Sequence, residues 1–276
     1  MKTTTTCLAI GNWLTVLLLS LAIAQPSFAT APRFSAAKLA EEAKPHLVAY
    51  EYPPLVTGNE TEPGAAIELA RKAFEVMGKQ VSVEVVPAKS FAMQLLTDDV
   101  KVLGMFAEAR LLAAAERKAL VEEKCLSLTG RYYYYSPVRG KELAAVRDLK
   151  ALKGKTYGAV PGEATETYAK AGIKVSVGEP KLMLRKLQTG EIDFLSAFEP
   201  AGDWNIDKLF AGERDNFAKL PMTAWETTFS LWFNSSHPGA QEWRQTFAEG
   251  LKKLRHNGAY LEILKKYKLE PWAIKP

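Results

Sequence analysis

The chain has 276 residues, 47% hydrophobic and 24% charged, with 36 Lys plus Arg against 31 Asp plus Glu. That balance describes a folded globular protein and excludes a disordered polyelectrolyte, a collagen-like repeat and a multi-span membrane protein. The first 31 residues carry one charged side chain, Lys2, ahead of an apolar stretch from Trp13 to Ala24. This stretch is about half of the ~20 residues that a transmembrane helix needs. The positive start, short apolar centre and small side chains of Ser27-Phe28-Ala29 and Ala29-Thr30-Ala31 predict a secretory signal peptide cleaved near Ala29 or Ala31. Cys7 precedes the apolar centre, on the wrong side for a lipid-modified cysteine.

Removing 31 of the 276 residues leaves 245, with 35 basic against 31 acidic side chains. A chain of that length buries about 70–75% of its unfolded surface, enough for one large core or two modest ones. Its single cysteine, Cys125, has no partner for an internal disulfide and is expected to be a buried apolar residue. Basic and acidic residues are interspersed, so nucleic acid is not an expected partner.

In chain order, residues 32–45 read as an Ala-rich lead-in ending at Pro45. His46 to Tyr52 predicts a strand running into the Pro53-Pro54 turn. Ile67, Ala70, Phe74 and Met77 recur at helical spacing between Pro63 and Gly78, which predicts a helix. Val81, Val83 and Val85 alternate as a strand. A short helix around Phe91–Leu96 and a strand from Val100 to Phe106 follow. The pattern then repeats, with a strand over Lys155–Val160, helices over Glu163–Ala171 and Leu182–Gln188, and a strand over Ile192–Phe198. Two such βα runs predict two α/β lobes. The extended runs Arg131–Val138 and Thr227–Phe233 are candidates for the segments that cross between them. Trp243, Phe247, Leu251 and Leu254 mark a long amphipathic helix ended by Gly258, and Tyr260, Ile263, Leu264 and Tyr267 a final one.

Six sequence fragments recur in a known order: Tyr52-Pro53-Pro54-Leu55; Gly64 with Glu68; Ala114-Ala115-Glu116-Arg117; Asp148-Leu149 to Gly154-Lys155, then Gly158 and Gly162; Leu187 to Asp193; and Leu254 to Ile263. Together they resemble the periplasmic solute-binding proteins of family three, the polar amino-acid branch, over essentially the whole chain beyond residue 31. The Thr that usually accompanies the arginine is Ala114 here, and a small insertion precedes Gly154. The resemblance implies an α/β, two-lobe type 2 periplasmic binding protein fold hinged by two crossing strands. Lobe 1 would comprise residues 32–135 and 231–276, and lobe 2 residues 136–230.

The resemblance also implies where a ligand would be held. Arg117 occupies the place of the arginine that grips a ligand carboxylate, a task suited to a planar guanidinium. Arg110 competes for that role, since a divergent branch carries an arginine there. Gly162, Glu163 and Thr165 occupy the helix-start loop that faces the carboxylate in amino-acid binders. Glu163 either turns to water as a first-turn helix acid or faces the cleft and repels an anion. The family's ammonium-gripping aspartate falls on Phe198, so that Glu199 takes the role or the amino-group site is absent. Glu51 and Tyr52 are candidates on other grounds, because the ends of strands border ligand sites in open α/β sheets. Tyr132–Tyr135, Trp204, Trp225 and Trp232 could stack on a ligand or pack the hinge strands.

The sequence has no HExxH, Gly-x-Ser-x-Gly or Gly-rich phosphate-binding motif, and its three histidines are scattered. The expectation is therefore a non-enzyme with no cofactor and no metal, a monomer in the periplasm. The resemblance implies that it captures a small polar solute, an amino acid or related organic ion, for an ABC permease of the inner membrane. The alternatives are a dehydratase-like enzyme on the same fold, with Glu51, Glu163 and Glu199 as candidate acids and bases, or a ligand-binding module serving a sensor or redox system.

Overall fold

The computed structural model describes residues 44–87, 102–109, 112 and 117–274. The signal segment, the short helix around Phe91–Leu96, and Arg110 lie outside the described residues.

The first βα run forms β1 (His46–Tyr50), α1 (Ala65–Glu75), β2 (Ser82–Val86) and β3 (Val102–Glu108). The first helix starts two residues later than its Pro suggests because Gly64, at φ +97°, turns the chain directly against the Leu55 carbonyl. A Cβ on residue 64 would stand 2.5 Å from that oxygen. The chain then enters β4 (Leu120–Leu128) and β5 (Arg131–Tyr135). The second run gives β6 (Thr156–Ala159), α2 (Glu166–Lys170), β7 (Lys174–Val177), α3 (Pro180–Thr189), β8 (Phe194–Phe198), α4 (Glu199–Leu209), β9 (Ala218–Thr223) and β10 (Thr227–Asn234). Helices α5 (Ala240–His256) and α6 (Ala259–Lys266) close the chain.

These strands form two five-stranded sheets of matching order, β2-β1-β3-β10-β4 and β7-β6-β8-β5-β9. In each sheet the first three strands are parallel, and the fourth runs antiparallel. That fourth strand is the one the chain enters directly after leaving the other sheet: β5 after β4, and β10 after β9. The runs Arg131–Tyr135 and Thr227–Asn234 are thus sheet strands, and the crossings are the short segments 129–130 and 224–226 that precede them.

Each sheet has its own core. In the first, Phe74 of α1 stacks on Phe247 of α5 at 5.4 Å, and Phe106 stacks on Phe229 at 6.2 Å. Gly250 lets α5 approach α1, since a Cβ there would lie 2.1 Å from the Ala73 carbonyl oxygen. Cys125 is fully buried in this core, as the sequence suggested, and burial pushes its thiol up to about 12. In the second, Tyr133, Tyr157, Tyr168 and Phe194 form an aromatic cluster, with Tyr157 and Tyr168 stacked at 3.9 Å.

Candidate functional site: an interlobe cleft

Parallel strands leave backbone and side chains free at their C-terminal ends, and there a cavity of about 510 Å³ opens between the two sheets. The first sheet contributes Tyr50 at the end of β1 with Glu51 to Pro53 beyond it, Val85 and Val86 at the end of β2 with Pro87 beyond it, and Glu108 at the end of β3. The second contributes Gly158, Val160 and Pro161 around the end of β6, the first turns of α3, Leu195 to Ala197 of β8, and one face of α4. Most of this wall is apolar, and its volume falls within the range of small-molecule pockets.

The polar centre of the cleft is Arg131, the first residue of β5. Its Nη1 donates to Glu108 Oε1 at 2.7 Å and to Tyr52 Oη at 3.1 Å, and its Nε donates to Ser196 Oγ at 3.4 Å. The guanidinium also lies over the Trp225 ring at 4.4 Å. Glu108 and Tyr52 belong to the first sheet's side and Ser196 to the second, so one side chain ties the two walls together. Glu108 is 1% exposed and Arg131 4%. Burial alone would favour the neutral guanidine, but the negative charge of Glu108 above all outweighs it and holds the arginine's pKa well above its usual value. Burial and the Glu108 charge push the hydroxyls of Tyr50 and Tyr52 upward, so both remain protonated. Their rings stack at 5.6 Å along the cleft wall.

A hydrogen-bonded chain leads from Arg131 into the second lobe. Ser196 Oγ accepts from Arg131 and lies 2.5 Å from Tyr157 Oη, which in turn donates to Glu163 Oε1 at 2.6 Å. The Val160 N–H donates to the other carboxylate oxygen of Glu163 at 3.2 Å. Burial raises the pKa of Glu163, against the opposing pull of Arg131, Tyr157 and Val160. At the mouth, Lys181 of α3 donates to Glu51 at 2.9 Å, a bridge between the lobes with both side chains nearly half exposed.

Glu51 and Tyr52, of the residues singled out in the sequence, stand in the cleft wall. Arg117 is exposed just ahead of β4 and does not line the cleft. Gly162, Glu163 and Thr165 do not line the cavity: Gly162 is exposed, and Glu163 and Thr165 are partly buried. The helix there begins only at Glu166, so Glu163 precedes the first turn, and its carboxylate accepts from Tyr157 and from the Val160 N–H. Phe198 points into the first lobe's core and meets Trp272 edge-on at 5.1 Å. Glu199 is held by Lys219 at 2.5 Å, away from the cleft. Trp232 is buried in the first lobe's core. Glu108, Arg131, Ser196 and Asn205, which do form the polar wall, were not singled out for it. The one available signal was Arg131 itself, a lone charge heading a run of four tyrosines.

Two α/β lobes, two crossings and a cleft at the strand ends define the fold of the type 2 periplasmic binding proteins. Solved structures share it. The GluR0 ligand-binding core from Nostoc punctiforme, in complex with L-glutamate, matches at TM-score 0.64 and 17% identity, over 81% of this chain and 99% of that one. An ancestral arginine-binding protein bound to arginine matches at TM-score 0.63 and 18% identity, over 81% and 98%. A histidine kinase sensor domain similar to periplasmic binding proteins matches at TM-score 0.68 and 17% identity, over 82% and 97%. At these identities the likeness establishes the fold. No protein-family model matches the sequence, and no curated protein matches it.

Proposed function

We propose that the chain is a periplasmic solute-binding protein that captures a small polar solute, an amino acid or related organic ion, between its lobes and presents it to an ABC permease of the inner membrane. The observation that carries this reading is the cleft itself, a pocket of about 510 Å³ walled by both lobes around the buried Arg131–Glu108 pair. Solutes of solved neighbours, such as L-glutamate and arginine, support the size class. The reading includes export by residues 1–31, action as a monomer, and binding without catalysis. Its lobes meet at the crossings 129–130 and 224–226. Its ligand contacts are Glu51, Tyr52, Glu108 and Arg131, with Arg110, two residues beyond Glu108 in the chain, as a further contact. The sensor-domain neighbour supports a second reading, in which the same cleft reports a solute to a signalling partner.

The test is a thermal-shift screen of the chain from residue 32 onward against amino acids, amines and organic acids. A ligand at 100 times its dissociation constant adds about 2.7 kcal/mol of stability. Saturable stabilisation with the hit recovered unchanged is the expected result. Failure of every compound to stabilise the protein, or conversion of a hit to product, would overturn the reading.

A further inference from the structure

In the described wall the two lobes place the same residue type at matching positions, and this bears on the body of the solute, an inference that rests on the solute-binding reading. Pro53 and Pro87 follow β1 and β2 in the first lobe, and Pro161 and Pro180 follow β6 and β7 in the second. The sheet orders make β1 the counterpart of β6 and β2 that of β7, so each lobe presents a pair of prolines at the same two strand ends. Pro53 is buried, whereas Pro87 is exposed and Pro161 and Pro180 are partly exposed, so these three keep accessible surface in the wall. Val85, two residues before Pro87, and Val160, next to Pro161, are also partly exposed and extend the apolar surface in each lobe.

A strand end or a helix start ordinarily offers a ligand free backbone N–H groups. Proline has none, and its ring supplies a rigid apolar face that needs no ordering on binding. Pro180 removes such a donor from the first turn of α3, the helix whose start borders the cleft. Donors close to the other prolines are engaged within the chain: the Tyr52 N–H bonds the Val56 carbonyl at 3.0 Å, and the Val160 N–H bonds Glu163 at 3.2 Å. The stacked rings of Tyr50 and Tyr52 continue the apolar surface towards Arg131, which the Tyr52 hydroxyl meets. A polar body buried against these faces gives up its water without replacement, which is costly, whereas burial of an apolar body there is favourable.

We propose that the solute is an organic ion whose bulk is apolar, a branched alkyl or aromatic group held between the proline pairs of the two lobes. Solutes of the same head group with a carboxamide in place of that body are the weaker class.

Calorimetric titration of the chain from residue 32 onward with compounds matched in head group tests this. L-leucine and L-phenylalanine are compared with L-asparagine, 4-methylpentanoate and 3-phenylpropionate with succinamate, and 3-methylbutylamine and 2-phenylethylamine with β-alaninamide. In each series an isopropyl or phenyl group replaces a carboxamide, so the comparison holds whatever charge meets Arg131. The expected result is that at least one apolar compound binds ten-fold or more tightly than its carboxamide counterpart. Pro87→Ser and Pro180→Ser, one in each lobe, trade a ring for a hydroxyl and an N–H and should each weaken that compound at least three-fold, so a folding defect in one variant does not decide the matter. A preference below ten-fold in all three series, or unchanged affinity in both variants, overturns the apolar-body assignment while leaving the solute-binding reading standing. Binding of no apolar compound also overturns it, and failure of the wider thermal-shift screen as well removes the solute-binding reading itself.

Discussion

Replacing Arg131 by Met removes a side chain bonded to both lobes at the centre of the cleft. The methionine keeps the apolar stem, so the main loss is the guanidinium. Glu108, 1% exposed, is then left as a buried carboxylate without its counter-charge. Breaking a buried pair from one side costs about 3–5 kcal/mol. For a domain of this size, roughly 2–4 °C of melting temperature is lost per kcal/mol, which gives a drop of about 6–20 °C. Adding Glu108→Gln removes the orphaned charge, and the double variant should regain about 2 kcal/mol or more relative to R131M. The coupling energy, measured by urea denaturation of the wild type, both single variants and the double, is that regain plus the cost of Glu108→Gln alone and should therefore exceed about 2 kcal/mol. A single variant that costs less than about 1 kcal/mol, or a double variant equal to the sum of the two singles, would refute the view that these groups form a desolvated pair.

Glu163→Gln tests the acid that accepts from Tyr157. Its folded pKa is raised above the ordinary 4.5, chiefly by burial, so folding takes up a proton and ionisation penalises the folded state. Below pH 4.5 both states hold the proton and no penalty exists; it grows as pH rises from there through the raised value. Melting curves at pH 4 and pH 8 should show E163Q gaining on the wild type at the higher pH, and a pH-independent difference would contradict the assignment. Gly250→Ala places a methyl against the Ala73 carbonyl and should cost about 1–3 kcal/mol, read from urea midpoints, with an unchanged midpoint as the refuting result. Cys125, buried with its thiol pushed up to about 12, should react with a disulfide reagent at pH 8 only once denaturant is added; stoichiometric reaction of the native chain would show that the core opens readily.

The elements legible in the sequence were those whose burial is one-sided and periodic. Trp243, Phe247, Leu251 and Leu254 announce α5, and Val81, Val83 and Val85 announce β2, within a few residues of the observed limits. The strands that went unread, β4, β7 and β9, all stand at sheet edges. An edge strand has one hydrogen-bonded neighbour and much exposed surface, so its pattern is diluted: β4 carries Glu122, Glu123 and Lys124 in its middle, and β9 holds a proline. Helix α4 was hidden for another reason. Its inward stripe is Ala201, Gly202, Asn205 and Ile206, small or polar because Gly202 lies against the Tyr134 ring and Asn205 against the cleft, so it lacks the large apolar residues from which a helix is read.

The site was harder to read than the fold, and the reason lies in where its charges come from. Glu51 and Tyr52 were found because they end a strand, a property of one local segment. Glu108 and Arg131 matter only as a pair, and they come from different sheets. In the sequence each looks like a charge at a strand boundary, where charges are ordinary. An arginine can be buried only where an acid meets it, and here the acid arrives from the opposite lobe. The same dependence explains why residues taken from the motif order alone fell elsewhere: the Glu163 loop keeps its place in the chain, yet α2 starts late and the carboxylate accepts from Tyr157. Motif order preserves topology. The chemistry of a cleft is decided by which charges its two walls bring together, and in this chain they bring together the Arg131–Glu108 ion pair.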